Sequence, residues 1–232
     1  NFNPPTATFV ANSSTSFLLT GSNASIIDQA GRGTLSTVGG ARISTTQSKF
    51  GGSSIFFNGT TDYIKLHDFA SSFVPSSTLI TSGDFTIEGW FYTNGSAAFQ
   101  TLFQINGNAP GYAAARLDIT TSNTLQLLLS STGAAWAVNY TATGALNNNQ
   151  WYHIALVRSG SSFYIFVDGV QKGATQTLSG ALNAGTGFSY IGVVLATTLQ
   201  GYFNGYMDEF RISRIARYTS TFTPPTQSFL DR

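Results

Sequence analysis

Acidic residues that could do chemistry are few in this chain, and the only adjacent pair is Asp208-Glu209. The pair lies in residues 201–212, which alternate like one long β-strand. Strict alternation places Asp208 on the same face as Phe210, where an acid is costly unless a partner neutralises it. We therefore expect Asp208 to anchor a distant loop through a metal ion. The alternative is a buried carboxylate that accepts backbone N–H bonds or pairs with Arg211.

A second group of residues has the chemistry of a sugar-binding surface. Trp136 lies among small residues, and Tyr140 follows two strand steps later on the same predicted face. Tyr112 and Asn108 in the preceding loop would add a second ring and an amide. Aromatic rings cover the apolar C–H faces of sugars, while amides bond their hydroxyls. We predict a glycan site from these four residues; the alternative is that Trp136 belongs to the core of a curved sheet.

The chain lacks the residue sets on which common catalytic centres depend. A glycosidase needs two carboxyl groups across a cleft, and only two glutamates occur, Glu88 and Glu209. Two histidines, His67 and His153, are too few for a multi-histidine metal site. There is no cysteine, no Gly-x-Ser-x-Gly elbow and no phosphate-binding loop. We therefore predict that the chain is not an enzyme.

Composition restricts the partners and the location. The chain has 232 residues, of which 9% are charged, and a net charge of +1. Such a weak field favours neither nucleic acid nor an anionic membrane. No apolar run approaches the ~18 residues of a membrane span, so we predict no membrane insertion. Hydroxyl and amide groups replace charges at the polar positions, as in many extracellular β proteins, and we expect an extracellular location.

Short alternating segments separated by turn residues predict an all-β, antiparallel β-sandwich. Residues 53–58 and 63–66 read as one hairpin, and residues 151–158 and 162–167 as another. Asp168-Gly169 has the composition of a tight two-residue turn. We expect an N-terminal arm over residues 1–15 and a single domain over residues 16–232, with a C-terminal tail that wraps the body.

Five motifs in a fixed order carry a resemblance to a known family. They are Lys-Phe-Gly-Gly-Ser-Ser-Ile-Phe-Phe-Asn-Gly at 49–59, Phe-Thr-Ile-Glu-Gly-Trp-Phe at 85–91, Trp-Tyr-His-Ile-Ala-Leu-Val-Arg at 151–158, Phe-Val-Asp-Gly at 166–169 and Gly-Tyr-Met-Asp-Glu-Phe-Arg-Ile at 205–212. Together they resemble the laminin-G-like domains of the concanavalin A-like lectin/glucanase superfamily. Residues 214–223 add a resemblance to such domains in bacteriophage virion proteins, especially tail-fibre and capsid-associated ones.

The resemblance implies a jelly roll with a concave face and loop rims that are available for binding. It also implies one structural calcium ion, with Asp208 and the Asn58-Gly59 region as ligands, since calcium takes six to eight oxygens. The Glu-x-Asp-x-x-Glu strand typical of the glucanases is absent. The expected role is a non-catalytic, lectin-like domain on a virion surface that adheres to glycans. The alternative is a structural or decoration domain that binds other virion subunits, and the sequence leaves the oligomeric state open.

Overall fold

The computed structural model describes residues 15–22, 25–28, 34–67, 80–107, 112–185 and 187–229. Within these ranges every regular element is a β-strand, so the predicted all-β class is confirmed. The strands are Thr15–Ser22 (β1), Ser25–Asp28 (β2), Thr34–Val38 (β3), Arg42–Ser44 (β4), Ser54–Asn58 (β5), Tyr63–His67 (β6), Phe85–Thr93 (β7), Gln100–Gly107 (β8), Ala113–Ile119 (β9), Leu125–Leu129 (β10), Val138–Thr141 (β11), Trp151–Ser159 (β12), Ser162–Val167 (β13), Val170–Gln171 (β14), Gln176–Thr177 (β15), Ser189–Ile191 (β16), Val194–Leu195 (β17), Leu199–Gln200 (β18) and Asn204–Ser213 (β19).

Ten strands form the first sheet, which we call sheet A. Its main path runs β14-β13-β12-β7-β19-β1-β2, and all of its pairs are antiparallel. β19 lies near the middle of this path. One edge of β19 pairs with β7, while the other edge is shared by β5 over residues 204–207 and β1 over residues 210–213. The predicted hairpin β12–β13 is present, and Asp168 and Gly169 both take positive φ in the turn that follows it.

Seven strands form the second sheet, sheet B, in the order β11-β10-β9-β8-β16-β6-β3. The predicted hairpin between residues 53–58 and 63–66 is therefore wrong, because β5 belongs to sheet A and β6 to sheet B. Asp62 explains the crossing. Its carboxylate accepts N–H bonds from Gly40 at 2.6 Å and Asn58 at 3.1 Å, which turns the chain from one sheet to the other.

The two sheets pack face to face around one apolar core, in the antiparallel sandwich arrangement of a jelly roll. Burial of the apolar side chains between the two sheets supplies the main driving force for the fold. Phe103 of sheet B and Phe210 of sheet A meet with ring centroids 6.0 Å apart. The largest fully buried side chains are Phe57, Phe85, Phe103, Phe163, Phe166, Phe203, Phe210 and Ile55.

The C-terminal segment, residues 214–229, lies on the outer face of sheet A, and we call it the tail. Thr86 on β7 donates to the Ile215 carbonyl at 2.8 Å and accepts the Arg217 N–H at 3.0 Å. Further along, the Phe222 N–H bonds the Gly169 carbonyl at 3.0 Å. The expected arm at residues 1–15 lies outside the described residues except for its last member. The described residues contain no helix that could cross a membrane.

Candidate functional site

A β-bulge in β19 decides where the acidic pair points. The register to β7 shifts between Asp208 and Arg211, and Glu209 has a φ of 52°. Because of the bulge, Met207 and Phe210 both enter the core. The expected alternation, which put Asp208 on the face of Phe210, is therefore wrong: Asp208 lies on the outer face of sheet A.

Asp208 is bound by backbone amides. Its Oδ2 accepts the N–H groups of Lys49 and Phe50, each at 3.0 Å. Burial raises the pKa of Asp208 to about 6 in spite of these bonds. Burial and the charge of Asp208 raise the pKa of Glu209 to about 7. This arrangement matches the alternative of a buried carboxylate that anchors a loop through N–H bonds.

The predicted calcium ligands do not come together. Asn58 pairs with Asn204, four residues before Asp208 on the same strand, and its Oδ1 accepts three backbone N–H groups from residues 60–62. The known contacts of Asp208 are also N–H donors, whose positive ends repel a cation. Within the described ranges no three His, Cys, Asp or Glu residues cluster as a metal would require. The residues present do not fit the implied ion, and calcium at Asp208, Asn58 and Gly59 stays a prediction without support from these contacts.

Two of the four predicted sugar-binding residues do meet. The rings of Tyr112 and Trp136 contact edge to face, with centroids 5.2 Å apart and an interplanar angle of 63°. Both side chains are half-buried. Trp136 lies in the loop between β10 and β11. Ser130 braces this loop, since its Oγ donates to the Ala135 carbonyl at 2.7 Å and accepts the Gly133 N–H at 2.9 Å.

Tyr140 does not join this pair. β11 begins only at Val138, so strand alternation does not extend back to Trp136. The Tyr140 ring packs against the core, and its hydroxyl accepts the Ala174 N–H at 2.7 Å. The sequence contains no signal that separates the two residues, because residues 136–140 read as one extended run. Asn108 lies outside the described residues.

Two amide side chains that sequence reasoning missed, Asn106 and Asn183, lie on segments joined to those of Tyr112 and Trp136, and we call these four residues the rim. The Asn183 N–H bonds the Ser130 carbonyl at 2.8 Å, and the Asn183 Oδ1 accepts the Gly185 N–H at 3.1 Å. Asn106 packs against Gly185 and is fully buried. Within the described residues its Nδ2 and Oδ1 and the Asn183 Nδ2 have no hydrogen-bond partner. These amide atoms are buried, so the half-buried rings are the part of the rim that a ligand can contact.

A cluster of ionisable groups beneath the tail is structural, and we call it the Glu88 network. Glu88 Oε1 accepts bonds from Arg211, while Oε2 accepts the Tyr218 hydroxyl at 2.9 Å and lies 3.2 Å from His153 Nε2. Burial opposes ionisation, but the bond to His153 and the charge of Arg211 outweigh it and lower the pKa of Glu88 to about 2. The side chains of Glu88 and His153 are fully buried beneath the tail. The network therefore holds the tail to sheet A.

A family model for the concanavalin A-like lectin/glucanases superfamily (Laminin_G_3) matches residues 58–220, well over half of the chain. No curated protein matches the chain.

Among solved structures, the chain is similar to domain 4 of AbnA, an extracellular arabinanase from Geobacillus stearothermophilus, solved in complex with arabinotriose. The TM-score is 0.61 at 18% identity, over 88% of this chain and 93% of that one. It is also similar to a sialidase CBM40 from Ruminococcus gnavus bound to α2,3 sialyllactose, with a TM-score of 0.53 at 16% identity over 62% and 82% of the chains.

A structure of botulinum neurotoxin type C, a toxin whose cell entry is described as dependent on two ganglioside molecules, gives a TM-score of 0.61 at 11% identity. The match covers 88% of this chain and 49% of that one. This chain spans about half the length of the neurotoxin chains that it matches. At these identities the likeness concerns the fold. By the family match and the jelly-roll architecture, the chain belongs to the laminin-G-like family of the concanavalin A-like lectin/glucanases superfamily.

Proposed function

We propose that the protein is a non-catalytic carbohydrate-binding domain that adheres to glycans through the rim. The observation that carries this proposal is the half-buried Tyr112–Trp136 pair, with ring centroids 5.2 Å apart, on a loop that Ser130 braces. A sugar ring stacked on the indole would bury apolar C–H groups.

Structural relatives support this reading. An arabinanase domain and a sialidase module with the same fold are described with bound arabinotriose and sialyllactose. Because a fold hosts many functions, these relatives support carbohydrate as the class of ligand and leave the sugar and its position to this chain's own residues.

The absence of an enzymatic role is also a proposal, and the state of the acids supports it. Both glutamates accept bonds from the protein: Glu88 lies inside its network, and Glu209 Oε2 accepts the Phe229 N–H at 2.7 Å. Neither Glu88 nor Glu209 is therefore available to act as general acid or base on a bound sugar.

A virion surface is the setting that we propose, on the strength of the phage-like residues 214–223. A structural role there, binding other virion subunits without glycan recognition, is the second candidate. Two of the three exposed large apolar side chains among the described residues favour it: Val170 is 49% exposed and Ile215 40% exposed, and each lies next to the tail or within it. Apolar groups of this kind are common at protein–protein contacts. An oligomer would form through the same surface.

A glycan array followed by calorimetry with the best ligand tests the carbohydrate proposal. We expect Trp136→Ala to weaken binding about tenfold, because a stacked ring contributes on the order of 1 kcal/mol. Tyr140→Phe is the matched control and should bind like the wild type, since its hydroxyl bonds only Ala174 among the described residues. A folded protein that binds nothing on the array, or a Trp136→Ala variant with full affinity, would overturn the proposal and favour the subunit-binding role.

A further inference from the structure

A groove lies on the opposite sheet from the rim, between sheet A and the tail. It has a volume of about 610 Å³. Aromatic rings form its floor, the Lys49-Phe50 loop forms one wall, and tail residues 223–226 form the other. Its lining residues are Lys49, Phe50, Trp90, Trp151, Asp168, Thr223, Pro224, Pro225 and Thr226.

The groove is held open by fixed contacts on each side. The Phe50 and Trp90 rings meet edge to face with centroids 5.8 Å apart. Asp208 anchors the loop from below through the Lys49 and Phe50 N–H groups. On the far wall, the bond between Phe222 and Gly169 fixes the tail just before Pro224. A preformed groove binds a ligand without a large ordering cost.

Two polar groups at this groove that lack partners among the described residues are donors. Lys49 Nζ lies 3.8 Å from the Trp90 ring centroid, and no carboxylate within the described residues pairs with it. Trp90 Nε1 is buried and has no acceptor in the same part of the chain. Asp168 also lines the groove, and its Oδ1 accepts the His153 N–H at 2.9 Å without forming an ion pair with Lys49. A buried N–H and an unpaired ammonium both favour a ligand that supplies an acceptor, most strongly a negative one.

We propose that this groove binds an acidic sugar residue. The sugar's carboxylate is held by the Lys49 ammonium and the Trp90 N–H, and its ring lies against Trp151, which is half-buried at the mouth. A neutral sugar would supply no direct ion pair for the ammonium, so the groove should discriminate by charge. The proposal concerns a site separate from the rim and does not depend on rim binding.

Calorimetry with a matched pair of ligands tests the groove. The probes are α2,3-sialyllactose and a galacturonic acid trisaccharide, with lactose as the neutral control. We expect at least one acidic probe to bind about tenfold more tightly than lactose, with affinity that falls as salt increases. Lys49→Gln should remove this preference and Lys49→Arg should keep most of it. Trp151→Ala should weaken the acidic probe about tenfold.

Lys65→Gln is the matched control, because Lys65 lies 3.5 Å from the centroid of the Phe188 ring on sheet B and not in this groove. It should bind like the wild type, as should Trp136→Ala. Urea unfolding of Lys49→Gln should match the wild type, since the N–H that Asp208 accepts is retained. The groove proposal would be overturned if no acidic probe bound, if Lys49→Gln and Lys65→Gln lost equal affinity, or if Trp136→Ala alone lost affinity. The last result would still support the rim.

Discussion

Arg211 and Glu88 face each other directly across β19 and β7, and two nitrogens of Arg211 bond the same carboxylate oxygen. Arg211 Nε lies 3.0 Å and Nη2 2.6 Å from Glu88 Oε1. The other oxygen of Glu88 contacts His153 on β12 and Tyr218 in the tail. One buried carboxylate thus joins three neighbouring strands and the tail.

Arg211→Met should be strongly destabilising. It removes the main counter-charge and leaves Glu88 buried, which typically costs about 3–5 kcal/mol. Urea unfolding measures the change. Arg214→Met is the matched control, since Arg214 is exposed in the tail and should change stability by less than about 0.5 kcal/mol. Similar losses in the two variants would show that the Glu88 network does not carry the effect.

Stability should decrease as pH rises from about 4 to about 7. The pKa of Asp208 is raised from 3.8 to about 6 and that of Glu209 from 4.5 to about 7. A raised carboxyl pKa means that the folded protein holds the proton more tightly than the unfolded chain does. The loss should be on the order of 5 kcal/mol by urea unfolding across this range.

Glu88 sets the opposite limb of the pH profile. Its pKa is lowered from 4.5 to about 2, so its contribution is present above its ordinary pKa and is lost as pH falls towards 2. Maximum stability is therefore expected near pH 4–5. The double variant Asp208→Asn/Glu209→Gln should flatten the limb between pH 4 and 7 and leave the acid limb unchanged. A profile that stays steep in the double variant would assign the limb to other groups.

Gly169→Ala should loosen the tail. The residue has a φ of 77°, and an added Cβ would clash with the Phe222 carbonyl oxygen. Gly160→Ala is the control for backbone strain alone, because its φ of 60° is similar and no atom lies within 4 Å of the added Cβ. Gly160→Ala should cost about 1–2 kcal/mol, and Gly169→Ala clearly more. Proteolysis at the tail should increase only in Gly169→Ala.

Calcium should not stabilise the protein at neutral pH. A site at a hundred times its Kd would contribute about 2.7 kcal/mol and raise Tm by several degrees. Because N–H donors face Asp208 and Asn58, we expect a shift below ~1 °C in thermal unfolding with calcium compared with a chelator. A larger shift that Asp208→Asn abolishes would restore the calcium expectation.

The fold class followed from local pattern, but the assignment of strands to sheets did not. β12 and β13 alternate cleanly around a short turn, so their pairing is visible in the sequence. β5 and β6 give the same local signal, yet they belong to opposite sheets. The difference lies in Asp62, whose carboxylate bonds Gly40, a partner 22 residues away that no local pattern reveals.

The candidate site was predictable in part for a similar reason. Tyr112 and Trp136 were expected together because both are aromatic residues in loops of neighbouring strands, and their rings do meet. Asp208 was placed on the wrong face because a bulge at a non-glycine residue, Glu209 at φ 52°, leaves no mark in the sequence. The Asn106 amide likewise lacks partners because of where the fold buries it, which its residue type does not reveal.

The position of β19 has a consequence for how the chain is made. β19 follows every other described strand in chain order, yet it pairs with β1, β5 and β7. During synthesis, these earlier strands leave the ribosome with their edges unpaired and wait for the strand that joins them. Sheet A can therefore close only after residue 213 has emerged, so its central pairs join residues far apart in the chain and should form slowly.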